Sequence, residues 1–280
     1  MSYKQILVQL DDNRKRGEKL AAVAVRLARD FAAQLVGVYV VPGLEMTPSL
    51  AAMLPDGIVA ARLKQSGDAQ HHAERVFREA AARDGLAAIE WRAPAGPAIE
   101  TAIAHGRTTD LIVVGQAEPD AEGAAFTADL INADVLSTGR PVLVVPYTGV
   151  DPTWGEHVLV AWDGGHEASR AIADALPLLR RAHKVSVMVV NADEASVAGS
   201  APAATRLAAW LAQHGVDIGI VHQDSADVRV GEWLLSRVAD SGCDLVVMGG
   251  YAHARVREMV LGGVTRSMLA AMTVPVLMSH

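Results

Sequence analysis

The chain has 280 residues, length enough for roughly two domains of about 150 residues each. It is 51% apolar, yet it contains no run of about 18 uncharged apolar residues, so no membrane span is expected. A net charge of -7 argues against general nucleic-acid binding, which needs a basic face, and the single cysteine, Cys243, excludes an intrachain disulfide and fits a reducing, cytoplasmic compartment. The opening "MSYKQILVQLDD" has a short apolar run and no cleavage-site pattern, so it does not read as a signal peptide.

In chain order, "KQILVQLDD" (Lys4–Asp12) reads as a first strand. A stretch rich in proline and glycine, Val41–Ile58, reads as an insertion carrying exposed Leu and Met residues. His71 and His72 are neighbours on a helix, so they point apart and make a poor metal pair. "TDLIVVGQ" (Thr109–Gln116) and "RPVLVVP" (Arg140–Pro146) read as the fourth and last strands of a first half, and "YTGVDPTWGE" (Tyr147–Glu156) as a linker. The second half reads as a strand "HVLVAWD", a helix over Glu167–Leu179, a strand "KVSVMVVN", a helix over Pro202–His214 and a strand "VDIGIVHQ". A helix over Val228–Asp240 follows, with Asp227 as N-cap, then "DLVVMG", a helix over Arg257–Met272, and "VPVLMS". Trp210 and Trp233 fall on amphipathic helices and are expected in the core, as is Cys243 beside the fourth strand. Unbroken Val/Ile/Leu strands alternating with helices predict parallel sheets with helices on both faces.

The two halves are copies. Asp11 in "ILVQLDD" matches Asp163 in "VLVAWDG", 152 residues on. Asp110 in "DLIVVGQ" matches Asp244 in "DLVVMGG", and Pro141 matches Pro275, both 134 residues on. The change of offset leaves about 18 extra residues in the first half, the length of the Val41–Ile58 insertion. The expected division is 1–147 and 151–280, each part an α/β domain with a doubly wound, five-stranded parallel sheet. In such sheets a ligand sits beyond the carboxyl ends of the strands, which puts Asp163 and the loop after Gly249 on one edge.

That loop, "GGYAHARVREMVLGG", holds Gly249, Gly250, Gly262 and Gly263 among basic residues. Glycines let backbone amides turn toward an anion, and the later pair stands at the start of a helix, where free amides favour phosphate. Thr265 offers a hydroxyl, and Arg255 and Arg257 offer positive charge. The alternative is that the glycines only allow a tight exit from a buried strand, and that Asp163 only caps the next helix. The first copy bears on this. Gly249 is matched by Gly115, but Gly250, Gly262 and Gly263 are matched by Gln116, Ala128 and Asp129. Arg255, Arg257 and Arg266 are matched by Ala121, Gly123 and Asn132, and the first loop gains Glu118, Asp120, Glu122 and Asp129. An acidic loop repels polyphosphate, so a phosphate site is expected in the second half alone. The loop is neither a Walker A nor a dinucleotide fingerprint. "DGGHEAS" resembles the Ser-Gly-Gly-x-Asp-Ser loop of pyrophosphatase-type ATP enzymes, with Asp and Glu in place of its Ser and Asp. No catalytic set and no metal set stands out, and with no general base any hydrolysis is expected to be slow.

Taken with the matched strands, these features resemble the universal stress protein family in its tandem form, over nearly the whole chain. The family signature runs Gly, two residues, Gly, nine residues, Gly, then Ser or Thr. Gly249 and Gly262 match it, whereas Ala252 and Gly263 depart from it. The resemblance implies ATP or a related adenine nucleotide, with Mg, bound in the second half. Asp163 would contact base or ribose, and Gly249, Gly250, Gly262, Gly263 and Thr265 the phosphates, with Arg255 and Arg257 screening charge. It also implies pairing of the two halves through their last strands as an intrachain pseudo-dimer, further pairing of whole chains as a homodimer, and a stress-response role. The competing expectation is a regulatory or protein-interaction module of the same fold that takes no nucleotide.

Overall fold

The computed structural model describes residues 2–40, 56–121, 123–190, 202–223, 230–251 and 263–280. The fold is mixed α/β, with two doubly wound repeats in tandem, as the sequence predicts. Residues 41–55 of the expected insertion lie outside the described residues, as does Asp227.

The chain divides into two compact units, Ser2–Thr138 and Gly139–His280. In the first, β1 (Gln5–Leu10), β2 (Gln34–Tyr39), β3 (Ile89–Arg92) and β4 (Leu111–Gly115) lie in the order β3-β2-β1-β4, all parallel. The helices are α1 (Arg14–Phe31), α2 (Asp56–Arg83), α3 (Ala98–Gly106) and α4 (Ala124–Ser137). β1 and β4 are almost wholly buried, which explains their uninterrupted apolar sequences. α1 starts where the Asn13 side chain accepts the Arg16 N–H at 3.1 Å. It ends on Ala32, whose φ of 50° is left-handed and whose N–H bonds back to Ala28 and Arg29.

The second unit contains β5 (Val142–Val145), β6 (His157–Trp162), β7 (Lys184–Val190), β8 (Ile218–Gln223), β9 (Leu245–Gly249) and β10 (Val276–Ser279), in the order β5-β10-β9-β6-β7-β8. Its helices are α5 (His166–Leu179), α6 (Ala203–Gln213), α7 (Val230–Ser241) and α8 (Gly263–Ala271). β6 to β10 form the five parallel strands expected of a repeat. β5, the last strand of the first sequence copy, pairs antiparallel with β10, the last strand of the second. Of the tryptophans expected in the core, Trp210 and Trp233 are only half-buried. The indoles that are buried are Trp154 and Trp162, on the linker and β6.

The repeated Asp110 and Asp244 have a shared structural task. Asp110 accepts the Lys4 and Gln5 N–H groups at 2.7 and 3.0 Å, and Asp244 accepts those of Glu156 and His157 at 3.1 and 2.9 Å. Each carboxylate, just before a fourth strand, satisfies the amides that open the neighbouring first strand.

Candidate functional site

In each repeat the chain leaves the first strand on one side and returns beside it on the other, so the strand order reverses between β1 and β4 and between β6 and β9. Such a switch point opens a crevice at the carboxyl ends of the two strands. At the β6/β9 edge the register aligns Val158, Leu159 and Val160 with Leu245, Val246 and Val247. Asp163 and the Gly249–Gly250 pair therefore emerge side by side, as expected from the sequence. Arg255, Arg257, Gly262 and Ala252 lie outside the described residues.

Asp163 accepts the Gly165 N–H at 2.8 Å, and Gly165 is the N-cap of α5. Asp11 does the same in the first repeat, accepting the Asn13 N–H at 2.9 Å. One carboxylate oxygen at each position is thus committed to the turn that starts the following helix. In the second repeat this turn passes through Gly164 at φ 80°, a conformation that favours glycine.

Gly249 is set by packing. A Cβ there would lie 2.7 Å from the Ala168 nitrogen and 2.8 Å from the Glu167 carbonyl carbon, so α5 can approach β9 only over a glycine. At Gly115 the added Cβ would lie 2.6 Å from Cδ of Arg16. In the second copy the retained glycine faces helix backbone; in the first it faces the Arg16 and Leu20 side chains. Gly250 donates its N–H to the Ser279 carbonyl at 2.9 Å, and its own carbonyl lies 3.1 Å from Nδ1 of His280. Gly263 is different. It is exposed at the start of α8, and an added Cβ there would meet nothing within 4 Å. Thr265 is buried, and its hydroxyl accepts the Tyr251 N–H at 3.1 Å. Tyr251 is itself buried, with φ 63°, a left-handed conformation unusual for a bulky residue. Burial alone raises its phenol. The Tyr251–Thr265 bond ties the exit of β9 to the first turn of α8.

The first repeat has a small pocket at its β1/β4 switch point, lined among others by Gln9, Asp11, Arg16, Gly115 and Thr127. Arg16 is ion-paired to Asp11, and its aliphatic stem lies against Gly115. Burial raises the Asp11 carboxyl, opposed by the Arg16 guanidinium. Gln9, Arg16 and Asp134 are functional candidates that only the folded chain brings forward. The available signals were an amide within the apolar run "ILVQL" and a carboxylate on the apolar face of "LINADVL".

The sequence profile described as the Universal stress protein family matches residues 2–146 and again residues 155–280. The chain belongs to the universal stress protein family. It carries two copies of the universal stress protein domain. A universal stress protein from Synechocystis is 29% identical over 181 residues, which cover 60% of this chain. The match spans 57% of that relative, just over half its length. A crystal structure of a universal stress protein from Archaeoglobus fulgidus covers 98% of this chain and 95% of its own, at TM-score 0.72 and 17% identity, which shows a common fold. A universal stress protein solved with cAMP covers 52% of this chain and 99% of its own, at 16% identity and a TM-score of 0.36, too low to bear on this chain's ligand. Of the four family signature positions, only Gly249 and Gly263 fall within the described residues.

Cys243 is buried, 2.9 Å from the Ser241 hydroxyl, and burial raises its thiol, as suits an inert packing residue. Among the described residues no helix is long and apolar enough to cross a membrane.

Proposed function

We propose that the second repeat binds ATP or a related adenine nucleotide, and that the chain acts in a cytoplasmic stress response as a nucleotide-responsive protein. The observation that carries this reading is the alignment of β6 with β9, which brings Asp163 beside Gly249 and Gly250 at a switch-point edge. Gly263 adds an exposed helix start at which an added Cβ would meet nothing within 4 Å, and a helix start offers free amides to a phosphate. In this reading the free carboxylate oxygen of Asp163 meets base or ribose. Gly263 meets the phosphates, with Gly262, Arg255 and Arg257 belonging to the same site by sequence, and Gly250, its N–H held by the Ser279 carbonyl, stands in the strand exit beside them. Gly249 and Thr265 hold its frame. Mg would arrive on the nucleotide phosphates, as it commonly does. The first repeat, with Arg16 on Asp11 and an acidic loop, takes no nucleotide. The functional domains are then 1–147 and 151–280, and the antiparallel β5–β10 pair supports their association as an intrachain pseudo-dimer.

The test is calorimetric titration of ATP with Mg into the full chain. Asp163→Ala should weaken binding about tenfold, the order of one charge-assisted hydrogen bond, while Asp11→Ala leaves it unchanged. Equal loss in both variants, or no binding by the parent at millimolar ATP, refutes the reading.

A second reading has specific support. Gly249 is accounted for by packing and Thr265 by its bond to Tyr251, so neither requires a ligand. If ATP fails to bind, the same repeat acts as a regulatory or interaction module without a nucleotide.

A further inference from the structure

In the first repeat a carboxyl and an amide are buried together. Asp134, on α4, has no solvent exposure, and Gln9, on β1, retains 4%. Neither carboxylate oxygen and neither amide atom makes a hydrogen bond of ordinary geometry to the described residues. Yet the Gln9 amide lies close enough to Asp134 to favour its charged form, in opposition to burial. An ionised carboxylate in that position gives up its hydration for little return. A protonated one has one donor and one acceptor to satisfy, and the Gln9 amide offers one of each.

The second repeat puts Ala161 and Met268 at the corresponding positions, and Met268 is buried. The fold therefore does not need a polar pair there. Gln9 also lines the pocket at the β1/β4 edge, so the buried acid has a polar neighbour that reaches the pocket.

We propose that the first repeat carries a proton-binding site, made of the Asp134 carboxyl and the Gln9 amide, whose ionisation loosens α4 from β1. Charged groups nearby do not compete for this role. α3 brings Glu100 and His105, with Arg107 at its end; α4 itself brings Asp129; the pocket brings Asp11 and Arg16. None contributes to the displacement of Asp134, which burial raises to about 7 against the opposing effect of Gln9. β4 carries no charge. The site therefore responds to pH near neutrality, where ordinary carboxylates are already ionised.

The test uses the full chain and three measurements. Carbon-13 carboxyl shifts across a pH titration should assign Asp134 an ionisation near neutrality. The unfolding equilibrium constant should rise about tenfold per pH unit between about pH 5 and pH 7, the slope of one linked proton. Amide exchange in α4, corrected for intrinsic rates, should accelerate over the same range. Asp134→Asn keeps an uncharged partner for Gln9 and should remove the slope. The double change Gln9→Ala, Asp134→Met copies the second repeat and should remove it too. An Asp134 carboxyl that ionises near pH 4 in the parent, or parent and variants with equal slopes, overturns the proposal. The carboxyl titration decides the matter even if a variant fails to fold.

Discussion

At the scale of single residues, the glycines of the second repeat separate into two kinds. Gly249→Ala forces a Cβ into the backbone of α5, at 2.7 Å from the Ala168 nitrogen. It should cost about 2–3 kcal/mol, in the range of overpacked cores, as read by denaturant unfolding. Gly263→Ala meets open space and should leave stability nearly unchanged or slightly raised. If Gly263 serves phosphate, that same change should weaken ATP binding. A residue silent in stability and costly in binding is the signature of a ligand contact. Asp134 is the matching case in the first repeat. Its carboxyl is raised from 3.8 to about 7 in the folded chain, so the folded state holds a proton that the unfolded state has released. Stability contributed by the neutral acid is full below about pH 4 and is lost progressively as pH approaches 7, to a total of a few kcal/mol. Asp134→Asn should flatten that fall, and a comparison of melting temperatures at pH 5 and pH 8 measures it. Only part of this was legible in the sequence. Asp134 stands out as a carboxylate within an apolar helix face, but nothing in the string says that Gln9, 125 residues earlier, lies opposite.

At the scale of elements, the repeats reuse one set of joints. Asp110 and Asp244 pin the start of β1 and β6 through two backbone N–H groups each. Asp244→Ala should destabilise by about 1–3 kcal/mol through the amides it leaves unpaired, at the opposite end of the strands from Asp163. The Tyr251–Thr265 bond closes the two ends of the glycine loop. Thr265→Val keeps the volume but loses the acceptor; it should lower stability by about 1 kcal/mol or more and weaken nucleotide binding only by misplacing the start of α8. These joints explain why the repeat is readable in the sequence. The strands read correctly because a parallel strand buried on both faces must be continuously apolar, and β6 to β10 follow the predicted order of elements. The joints themselves read ambiguously, because a carboxylate at a strand end has the same spelling whether it holds a ligand or a turn. Asp163 holds the turn, with one oxygen left over.

At the scale of the whole molecule, duplication has allowed the two copies to diverge. The second copy keeps glycines at its edge, Gly250 buried against the last strand and Gly263 exposed at the start of α8. The first lines its edge with the Arg16–Asp11 ion pair and buries an acid–amide pair. The tandem architecture was evident from the two repeat offsets, whereas the division of labour rests on side chains that only folding brings together. On this account one copy answers to nucleotide and the other to protons. The stoichiometry of ATP with Mg on the full chain, read by calorimetry, tests the central claim most directly. One nucleotide per chain is expected, its binding weakened about tenfold by Asp163→Ala. Two nucleotides per chain, or none at millimolar concentration, would contradict it.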